Sequence, residues 1–235
     1  MNAPRTRPFP TGVELVTSDL DAARSFYQDL LGWTYQATAD GCTALADGAP
    51  AADLRFGPAP ARWWTVFGAA DEATVRAAAG EAGARLTGDE VHDPLGGSFR
   101  LRTAPAPVAP GPGRPCWYEY MTTDPAGADR FHTAALGLRS SVPPGAPDDS
   151  YALLVGDVAP VAGRLAMPAP LDTLLPAGWM VYLAVADPDD VAERAQRGGG
   201  RLLVPPRDVV TGRVCALADP AGAVFTVIRP ARTGS

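Results

Sequence analysis

Two glutamates are the residues of this sequence best suited to acid–base chemistry. Glu14 and Glu119 each stand in a short segment of alternating pattern, GVELV and WYEYM, at matching places 105 positions apart. A carboxylate among apolar and aromatic side chains has its pKa raised and can then act as a general base. Two such groups facing one cavity could divide the acid and base roles. The alternative is structural, because buried acids are usually paired with a guanidinium or with backbone N–H groups.

The segments that carry the two glutamates belong to a longer repeat. GVELVTSDLDAARSFYQDLLGW is followed, 105 positions later, by WYEYMTTDPAGADRFHTAALGL. Period-two alternation predicts a strand, and helical spacing of the following apolar residues predicts an amphipathic helix. Asp19 and Asp124 stand at the N-cap positions, and Gly32 and Gly137 end the two helices. Each glutamate is therefore predicted on a strand that packs against its own helix.

The same strand–helix beginning occurs twice more, with Asp71 and Asp187 as the predicted N-caps. Short strands joined by Asp/Gly turns follow the helices, so the sequence predicts four βαβββ units. The halves meet at residues 105–115, PAPVAPGPGRP, a stiff proline-rich linker. On the second helix His132 replaces Tyr27 of the first, and we interpret it as a surface or helix-packing residue. The loop Val142–Asp149 is interpreted as an ordinary surface loop, with a lid over a pocket as the alternative.

The composition narrows the class of protein. A hydrophobic content of 46% and a charged content of 20% are typical of a soluble globular chain. The net charge of −6, without a Lys/Arg run, argues against a nucleic-acid or membrane-surface partner. No apolar stretch approaches the roughly 20 residues of a membrane span, and MNAPRTRPFP lacks the apolar core of a secretory signal. We expect a cytoplasmic protein, either a monomer or a homodimer.

Four segments together resemble the vicinal-oxygen-chelate superfamily, which has the glyoxalase/bleomycin-resistance fold. They are DLDAARSFYQDLLGW at Asp19–Trp33, WMVYLAVAD at Trp179–Asp187, GGGR at Gly198–Arg201 and ADPAGAVF at Ala218–Phe225. The resemblance implies an α+β fold in which the four units form two glyoxalase-like domains with curved, barrel-like mixed sheets. The implied boundaries are residues 12–104 for the first domain, with its last strand eroded, and 116–230 for the second.

The resemblance also implies where a metal would bind, and the residues at those positions are poor ligands. Metal-dependent members place a His seven residues before the cap aspartate, and another ligand, a Glu, four residues after the Gly of D-P-x-G. The first rule gives Gly12, Trp64, Trp117 and Met180, and the second gives Thr226. In the first half the counterpart of Asp219-Pro220 is taken to be Ala104-Pro105. Because divalent metals prefer imidazole and carboxylate, we expect no metal and no other cofactor.

Strand parity, applied to the implied fold, predicts the residues that share the face of this lost metal site with Glu14 and Glu119. The predicted ligand-binding residues are Trp64, Val66, Trp117, Met121, Met180, Tyr182 and Thr226. This lining suits a flat, largely apolar or aromatic ligand held by stacking and a few polar groups.

The sequence therefore predicts a metal-independent protein that binds a small organic metabolite or antibiotic. If it is an enzyme, the expected chemistry is acid–base isomerisation, cyclisation or lyase chemistry in secondary metabolism, carried by Glu14 or Glu119. One alternative is an antibiotic-sequestering resistance protein without catalysis. Another is a metal-dependent lyase or dioxygenase with relocated ligands drawn from Glu14, Glu119, His92 and His132. A third is a scaffold whose cavities have collapsed.

Overall fold

The computed structural model describes residues 7–103 and 107–231. The first half contains β1 (Phe9–Thr17), α1 (Leu20–Leu31), β2 (Thr34–Thr38), β3 (Gly41–Ala46), β4 (Ala49–Phe56), β5 (Arg62–Ala69), α2 (Glu72–Glu81), β6 (Arg85–Thr87), β7 (Glu90–His92) and β8 (Ser98–Thr103). The second half contains β9 (Pro115–Thr122), α3 (Pro125–Leu136), β10 (Arg139–Ser141), β11 (Tyr151–Val155), β12 (Pro160–Ala166), α4 (Leu171–Leu174), β13 (Gly178–Ala184), α5 (Pro188–Arg197), β14 (Arg201–Val209), β15 (Gly212–Ala218) and β16 (Val224–Pro230). Within the described ranges, no helix has the length and apolar character needed to cross a bilayer.

The strands form two eight-stranded mixed sheets, one from each half of the chain. Their orders are β2-β3-β4-β1-β5-β8-β7-β6 and β10-β11-β12-β9-β13-β16-β15-β14. In each βαβββ repeat the first strand pairs in parallel with the last strand, as β1 does with β4 and β9 with β12. The predicted α+β fold of four βαβββ units is confirmed. The sheets end in edge strands, so they are open and not closed barrels.

The cap residues fix where the four main helices begin. Asp19 accepts a hydrogen bond from the N–H of Ala22 at 2.9 Å, so its carboxylate satisfies one of the unpaired donors of the first turn. The other three predicted caps are confirmed in the same way, at Asp71, Asp124 and Asp187. Gly32 and Gly137 end α1 and α3 with φ of 71° and 64°, the left-handed conformation that glycine adopts without steric cost.

The last strand of the second βαβββ repeat, at the end of the first half of the chain, is present. This corrects the expectation that it is eroded. The sequence-based interpretation missed β7, because three residues are too few to show a period of two. With β7 in place, β8 is the closing strand, and it pairs in parallel with β5. The turn before it is Asp93-Pro94-Leu95-Gly96, which is the true counterpart of Asp219-Pro220-Ala221-Gly222. The assignment to Ala104-Pro105 is wrong, and those two residues lie outside the described part of the chain.

The chain divides into two compact units that do not follow its halves. Of the described residues, unit 1 comprises 7–11, 65–103, 107 and 117–179. Unit 2 comprises 12–64, 108–116 and 180–231. Unit 1 therefore contains α2 and α3, and unit 2 contains α1 and α5. The division into domains at 12–104 and 116–230 stays a prediction.

Unit 1 has a core of apolar residues between its strands and the helices α2 and α3. Its largest members are Phe67, Phe99, Phe131, Leu101, Leu136, Leu138 and Leu154. His132 lies fully buried among the rings of Tyr120, Phe131 and Trp179, so the alternative of a surface position is wrong. Neither ring nitrogen of His132 makes a hydrogen bond of ordinary geometry within the described residues. Burial lowers the pKa of His132 to about 3, and the charge of Arg164 also lowers it, whereas the Ala128 backbone acts in the opposite direction.

Unit 2 has an aromatic core centred on Tyr27 of α1. The Tyr27 ring packs against the rings of Phe26, Trp33, Trp63 and Phe225. Its hydroxyl donates to Asp219 Oδ2 at 3.0 Å and accepts from Trp63 Nε1 at 3.0 Å. Burial is also the main cause of the raised pKa of Asp219. A single hydroxyl thus satisfies two buried polar groups, on elements that are far apart in the sequence.

Substituting Tyr27→Phe should lower the free energy of unfolding by about 2–4 kcal/mol, because it removes a hydrogen bond to a buried carboxyl and leaves the Trp63 indole N–H without its acceptor. Urea unfolding followed by circular dichroism measures the change. The matched control is Tyr35→Phe, whose hydroxyl donates to the Arg24 carbonyl at an exposed position, and it should cost about 1 kcal/mol or less. Equal costs for the two variants would contradict this assignment.

Protonation of His132 should destabilise the fold. The pKa is about 3 in the folded chain and about 6.5 in the unfolded chain. Between these values only the unfolded chain takes up the proton, so the free energy of unfolding falls as the pH is lowered from 6.5. The His132→Leu variant has no such proton to take up. The loss in the free energy of unfolding that it avoids amounts to at most about 1.4 kcal/mol per pH unit.

Unfolding of the parent and of His132→Leu should therefore be measured at several pH values between 7 and 4. Relative to the variant, the parent should lose stability as the pH falls. His92→Gln, at a partly exposed position, retains His132 and should keep the parent's steep dependence. Parallel curves for the parent and His132→Leu would show that His132 stays uncharged in the unfolded chain or charges in the folded one.

Candidate functional site

The strand β9 carries Glu119 on the face turned away from α3. Tyr118 and Tyr120 point toward the helix side, where Tyr120 contacts His132, so Trp117, Glu119 and Met121 share the other face. The side chain of Glu119 is buried, with 6% of its surface exposed. The neighbouring strand β12 places Gly163 directly beside Glu119, and β11 follows as the next strand.

Tyr151, the first residue of β11, lies beside Glu119, and the two side chains meet over Gly163. Glu119 and Trp117 both act on the pKa of Tyr151 as hydrogen-bonding neighbours. Because an indole nitrogen can only donate, Trp117 can give its N–H to the phenol oxygen, which leaves the Tyr151 O–H for Glu119. Burial raises the pKa of Tyr151 above its ordinary value, and the nearby charge of Glu119 raises it further. The phenol therefore stays protonated and remains a hydrogen-bond donor at neutral pH.

Gly163 provides the space in which Tyr151 and Glu119 meet. A Cβ at this position would lie 2.5 Å from the Tyr151 hydroxyl and 3.0 Å from Glu119 Oε1. Such distances are shorter than van der Waals contact, so any larger residue would displace at least one of the two groups. Trp117 and Tyr151 are only half-buried, and the cluster of Trp117, Glu119 and Tyr151 therefore borders on solvent.

Glu14 occupies the matching position in unit 2 but has a different partner. It is fully buried, and its Oε2 accepts a hydrogen bond from Arg55 Nε of β4 at 2.7 Å. Arg55 also donates to Asp40 at 3.1 Å. This contact is a salt bridge between β1 and β4, an arrangement typical of a structural ion pair. The catalytic role of Glu14 stays a prediction, as does that of Glu119.

The residues predicted to bind a ligand lie mostly in the interior. Buried side chains are found at Trp64, Val66, Met121, Met180 and Thr226, whereas Trp117 and Tyr182 are half-buried. Within unit 2 the parallel pairing of β13 and β16 places Tyr182 beside Thr226. Arg62 covers the ring of Trp64, with its guanidinium 4.3 Å from the ring centre. Their roles in ligand binding stay predictions.

Sequence reasoning missed two members of the cluster around Glu119. Tyr151 was not singled out, because its register position in the first half is held by Gly41 and the repeat gives no signal there. Gly163 was not singled out either, since nothing distinguishes it from other glycines until Tyr151 and Glu119 are placed beside it.

The positions at which the superfamily binds a metal do not fit a divalent cation here. Four of them hold Gly12, Trp64, Trp117 and Met180, which offer no imidazole or carboxylate, and a fifth holds Thr226. The corrected turn places Arg100 four residues after Gly96, so a guanidinium stands at the remaining ligand position and donates to Glu90 at 3.2 Å. Among residues 7–103 and 107–231, no three His, Cys, Asp or Glu side chains converge as a metal site would require.

The relocated ligands proposed as an alternative are also engaged elsewhere. Glu14 is paired with Arg55, Glu119 with Tyr151, and His92 with Glu90 at 3.0 Å. His132 is enclosed by aromatic rings.

A small cleft in unit 1 does not extend to this cluster. It is bounded by Arg7, Pro8, Phe9 and residues 156–159 and 161, and it encloses about 10 Å³. This volume holds about one water molecule and is far below that of an organic ligand. The chemistry of the Glu119 cluster, with its half-buried aromatic rings, is the better indication of a functional site.

The sequence and the fold both match known proteins. A family model described as "Glyoxalase/Bleomycin resistance protein/Dioxygenase superfamily" matches residues 11–129. CFP32 of Mycobacterium tuberculosis, a protein named as a glyoxylase, is 30% identical in an alignment of 254 positions, gaps included, that covers 94% of this chain and 95% of that protein. The anthracycline biosynthesis protein DnrV of Streptomyces peucetius is 32% identical over 130 residues, which cover 50% of this chain and 47% of DnrV.

Solved structures share the fold at low sequence identity. The Mn(II)-bound glyoxalase from Novosphingobium aromaticivorans aligns with a TM-score of 0.61 and 20% identity, over 96% of this chain and 82% of that one. The 2,3-dioxygenase LapB from Pseudomonas sp. KL28 aligns with a TM-score of 0.61 and 15% identity, over 98% of this chain and 95% of that one. At these identities the similarity concerns the fold alone.

Substituting Gly163→Ala should separate Tyr151 from Glu119 and lower the free energy of unfolding by about 1–3 kcal/mol, because the added methyl group overpacks the cluster. The chemical shift of the Trp117 indole N–H, in a ¹⁵N-labelled protein, reports whether the hydrogen bond to Tyr151 is lost. Gly80→Ala is the matched control, since its nearest neighbour would be Leu86 Cδ1 at 3.8 Å, and alanine stabilises the interior of α2. An unchanged Trp117 resonance in Gly163→Ala would show that the cluster absorbs the methyl group.

Proposed function

Because the chain belongs to the glyoxalase/bleomycin resistance protein/dioxygenase superfamily, we propose that it binds a small, largely apolar or aromatic metabolite beside Trp117 and acts on it by metal-independent acid–base chemistry. The observation that carries this proposal is the buried carboxylate of Glu119, which lies beside the hydroxyl of Tyr151 at a place that borders on solvent. The superfamily alone does not decide between chemistries, so the argument depends on this cluster.

Glu119 is the candidate general base. A buried carboxylate beside a neutral phenol gives up no ion pair when it accepts a proton. A carboxylate bonded to a guanidinium does give up an ion pair, so its protonation costs more free energy. This difference favours Glu119 over Glu14, whose contact with Arg55 is an ion pair. We infer that Glu14 serves mainly to hold β1 and β4 together, and that Glu119 takes and returns the substrate proton.

Tyr151 and Trp117 would complete the reaction site. Once Glu119 has taken the substrate proton it no longer needs the Tyr151 O–H, which can then be donated to a substrate oxygen on which negative charge develops, while the indole N–H of Trp117 keeps the phenol oriented. The half-buried ring of Trp117 offers a surface on which a flat ligand stacks. A proton removed from one carbon and returned to another gives isomerisation, and loss of a leaving group after proton removal gives lyase chemistry. Attack of the resulting carbanion on a second carbonyl of the same molecule gives cyclisation.

Metal independence is supported by the residues at the superfamily's ligand positions. Arg100 and Thr226 stand where carboxylates would bind the cation, and the strand positions hold residues without suitable donor atoms. Hydrogen bonds must then take the place of a Lewis acid in stabilising the negative charge of an enolate-like intermediate. Hydrogen bonds alone are sufficient for a substrate whose carbon-bound proton is already made acidic by neighbouring carbonyl groups. Polyketide-like aromatic metabolites have this chemistry.

The relatives support a role in secondary metabolism. DnrV is named as an anthracycline biosynthesis protein, and it matches this chain over half of each sequence. The acidic net charge of −6 supports a protein that acts in the cytoplasm on a small molecule, without a nucleic-acid or membrane partner. We propose a monomer or a homodimer, since the four βαβββ repeats of one chain can cover each other's apolar faces.

The test compares Glu119→Gln with Glu14→Gln. First, mass spectrometry of small molecules that co-purify with the native protein identifies candidate ligands, and aromatic polyketides serve as initial probes. Glu119→Gln should bind such a ligand within a few-fold of the parent but lose turnover by about 100-fold or more. Glu14→Gln should lose stability, because it breaks the ion pair between the buried Glu14 and Arg55 and leaves Arg55 with its contact to the exposed Asp40, and it should keep most of its turnover.

Two results would overturn the proposal. Equal turnover of the parent and Glu119→Gln would exclude Glu119 as the base, and binding without turnover in the parent would favour sequestration. Metal analysis of protein purified without a tag separates the remaining alternative, since stoichiometric Fe, Zn, Mn or Ni would contradict metal-independent chemistry.

A further inference from the structure

We propose that Arg164 is a positioning residue that holds Tyr151 against Glu119, so that the reaction site is assembled from the helix side of the sheet. The inference rests on the proposed function for its purpose, but the contacts that support it are independent of any substrate. Arg164 lies on β12 next to Gly163, and only 2% of its surface is exposed. A guanidinium buried to this extent is stable only when its donors are paired.

The first partner of Arg164 is a carboxylate on α3. Arg164 Nε and Nη2 donate to the two carboxylate oxygens of Asp129, each at 3.2 Å. This two-pronged contact fixes the plane of the guanidinium and compensates its charge. Since α3 packs on the core of unit 1, the guanidinium has a rigid anchor.

The second set of partners is the chain that leads into Tyr151. Arg164 Nη1 donates to the carbonyl of Asp149 at 2.6 Å and lies 3.4 Å from the carbonyl of Ser150. The Ser150 carbonyl also accepts from the N–H of Ala166 at 2.7 Å. The exposed loop 142–149 is therefore fixed at the residues immediately before Tyr151. The guanidinium of Arg164 therefore determines where β11 begins. It also determines the position of the Tyr151 ring, because Tyr151 is the first residue of that strand.

Consecutive residues of β12 thus act on the two faces of the sheet. Gly163 faces Glu119 and leaves room for the Tyr151 hydroxyl, whereas Arg164 faces α3 and holds the backbone that carries Tyr151. Because side chains alternate along a strand, the two roles cannot be exchanged without shifting the register by one residue. Lysine cannot replace Arg164, since a single ammonium group cannot reach Asp129 through two donors while binding the Asp149 carbonyl.

The test uses the indole N–H resonance of Trp117 in the full-length ¹⁵N-labelled protein, assigned with Trp117→Phe. Tyr151→Phe removes the acceptor of this indole and defines the resonance of the disconnected state. Arg164→Met should move the Trp117 resonance most of the way to that position, because the segment before Tyr151 loses its anchor. A general loss of stability moves an unfolding midpoint but leaves this folded-state signal in place.

The matched control is Arg213→Met in unit 2. Arg213 of β15 makes a comparable two-pronged contact with Asp189 of α5, including a bond from Nη2 to Oδ1 at 2.7 Å, and it belongs to unit 2, whereas Tyr151 belongs to unit 1. Its loss should leave the Trp117 resonance unchanged. Should Arg164→Met fail to fold, Arg164→Lys and Asp129→Asn weaken the same anchor more mildly, and both should move the resonance in the same direction.

A Trp117 resonance that stays at its parent position in all folded Arg164 and Asp129 variants would overturn the positioning role. A shift of equal size in Arg213→Met would overturn it as well, since the effect would then be general. The proposed function fails by a different result, namely unchanged turnover in Glu119→Gln. The resonance test needs no ligand, so the two failures are distinguishable.

Discussion

A buried hydrogen bond between a tyrosine and an aspartate joins distant parts of the chain in each compact unit. In unit 2 the hydroxyl of Tyr27 reaches Asp219, 192 positions away. The other oxygen of Asp219 accepts the N–H groups of Ala221 and Ala223, so the same carboxyl also shapes the turn before β16. The cost of burying the carboxyl is offset only when all these donors are present, and the turn, the strand and the helix are therefore specified together.

Unit 1 reaches the same result with a different tyrosine. Asp93 takes the place of Asp219, and the hydroxyl that reaches it, at 2.8 Å, belongs to Tyr120 on strand β9 and not to a helix residue. The helix position is then occupied by His132, which packs among aromatic rings as an uncharged side chain. The repeat thus preserves the buried pairing while the residue that supplies the hydroxyl has changed.

The opposite face of the sheets has diverged further, because it is not constrained by the helix core. At equivalent positions Glu14 forms an ion pair with Arg55, and Glu119 binds the phenol of Tyr151. The first arrangement fixes a charge, whereas the second keeps a carboxylate beside a neutral donor near solvent. The proposed chemistry belongs to the second arrangement, and the small residue Gly163 and the buried Arg164 are what allow it to form.

The sequence by itself determined the four units, their cap aspartates and the helix-ending glycines, because these depend on local periodicity and on hydrogen bonds within a few residues. It also identified Glu14 and Glu119 as equivalent positions of the repeat. It failed at β7, since three residues carry no measurable period, and this failure displaced the turn at Asp93 and concealed Arg100. Only the tertiary structure decided which glutamate pairs with Arg55 and which with Tyr151, because Tyr151 reaches Glu119 across β12, where Gly163 leaves the space. Contacts across strands depend on register and on the space that a neighbour leaves, and neither is recorded in the local pattern of the chain.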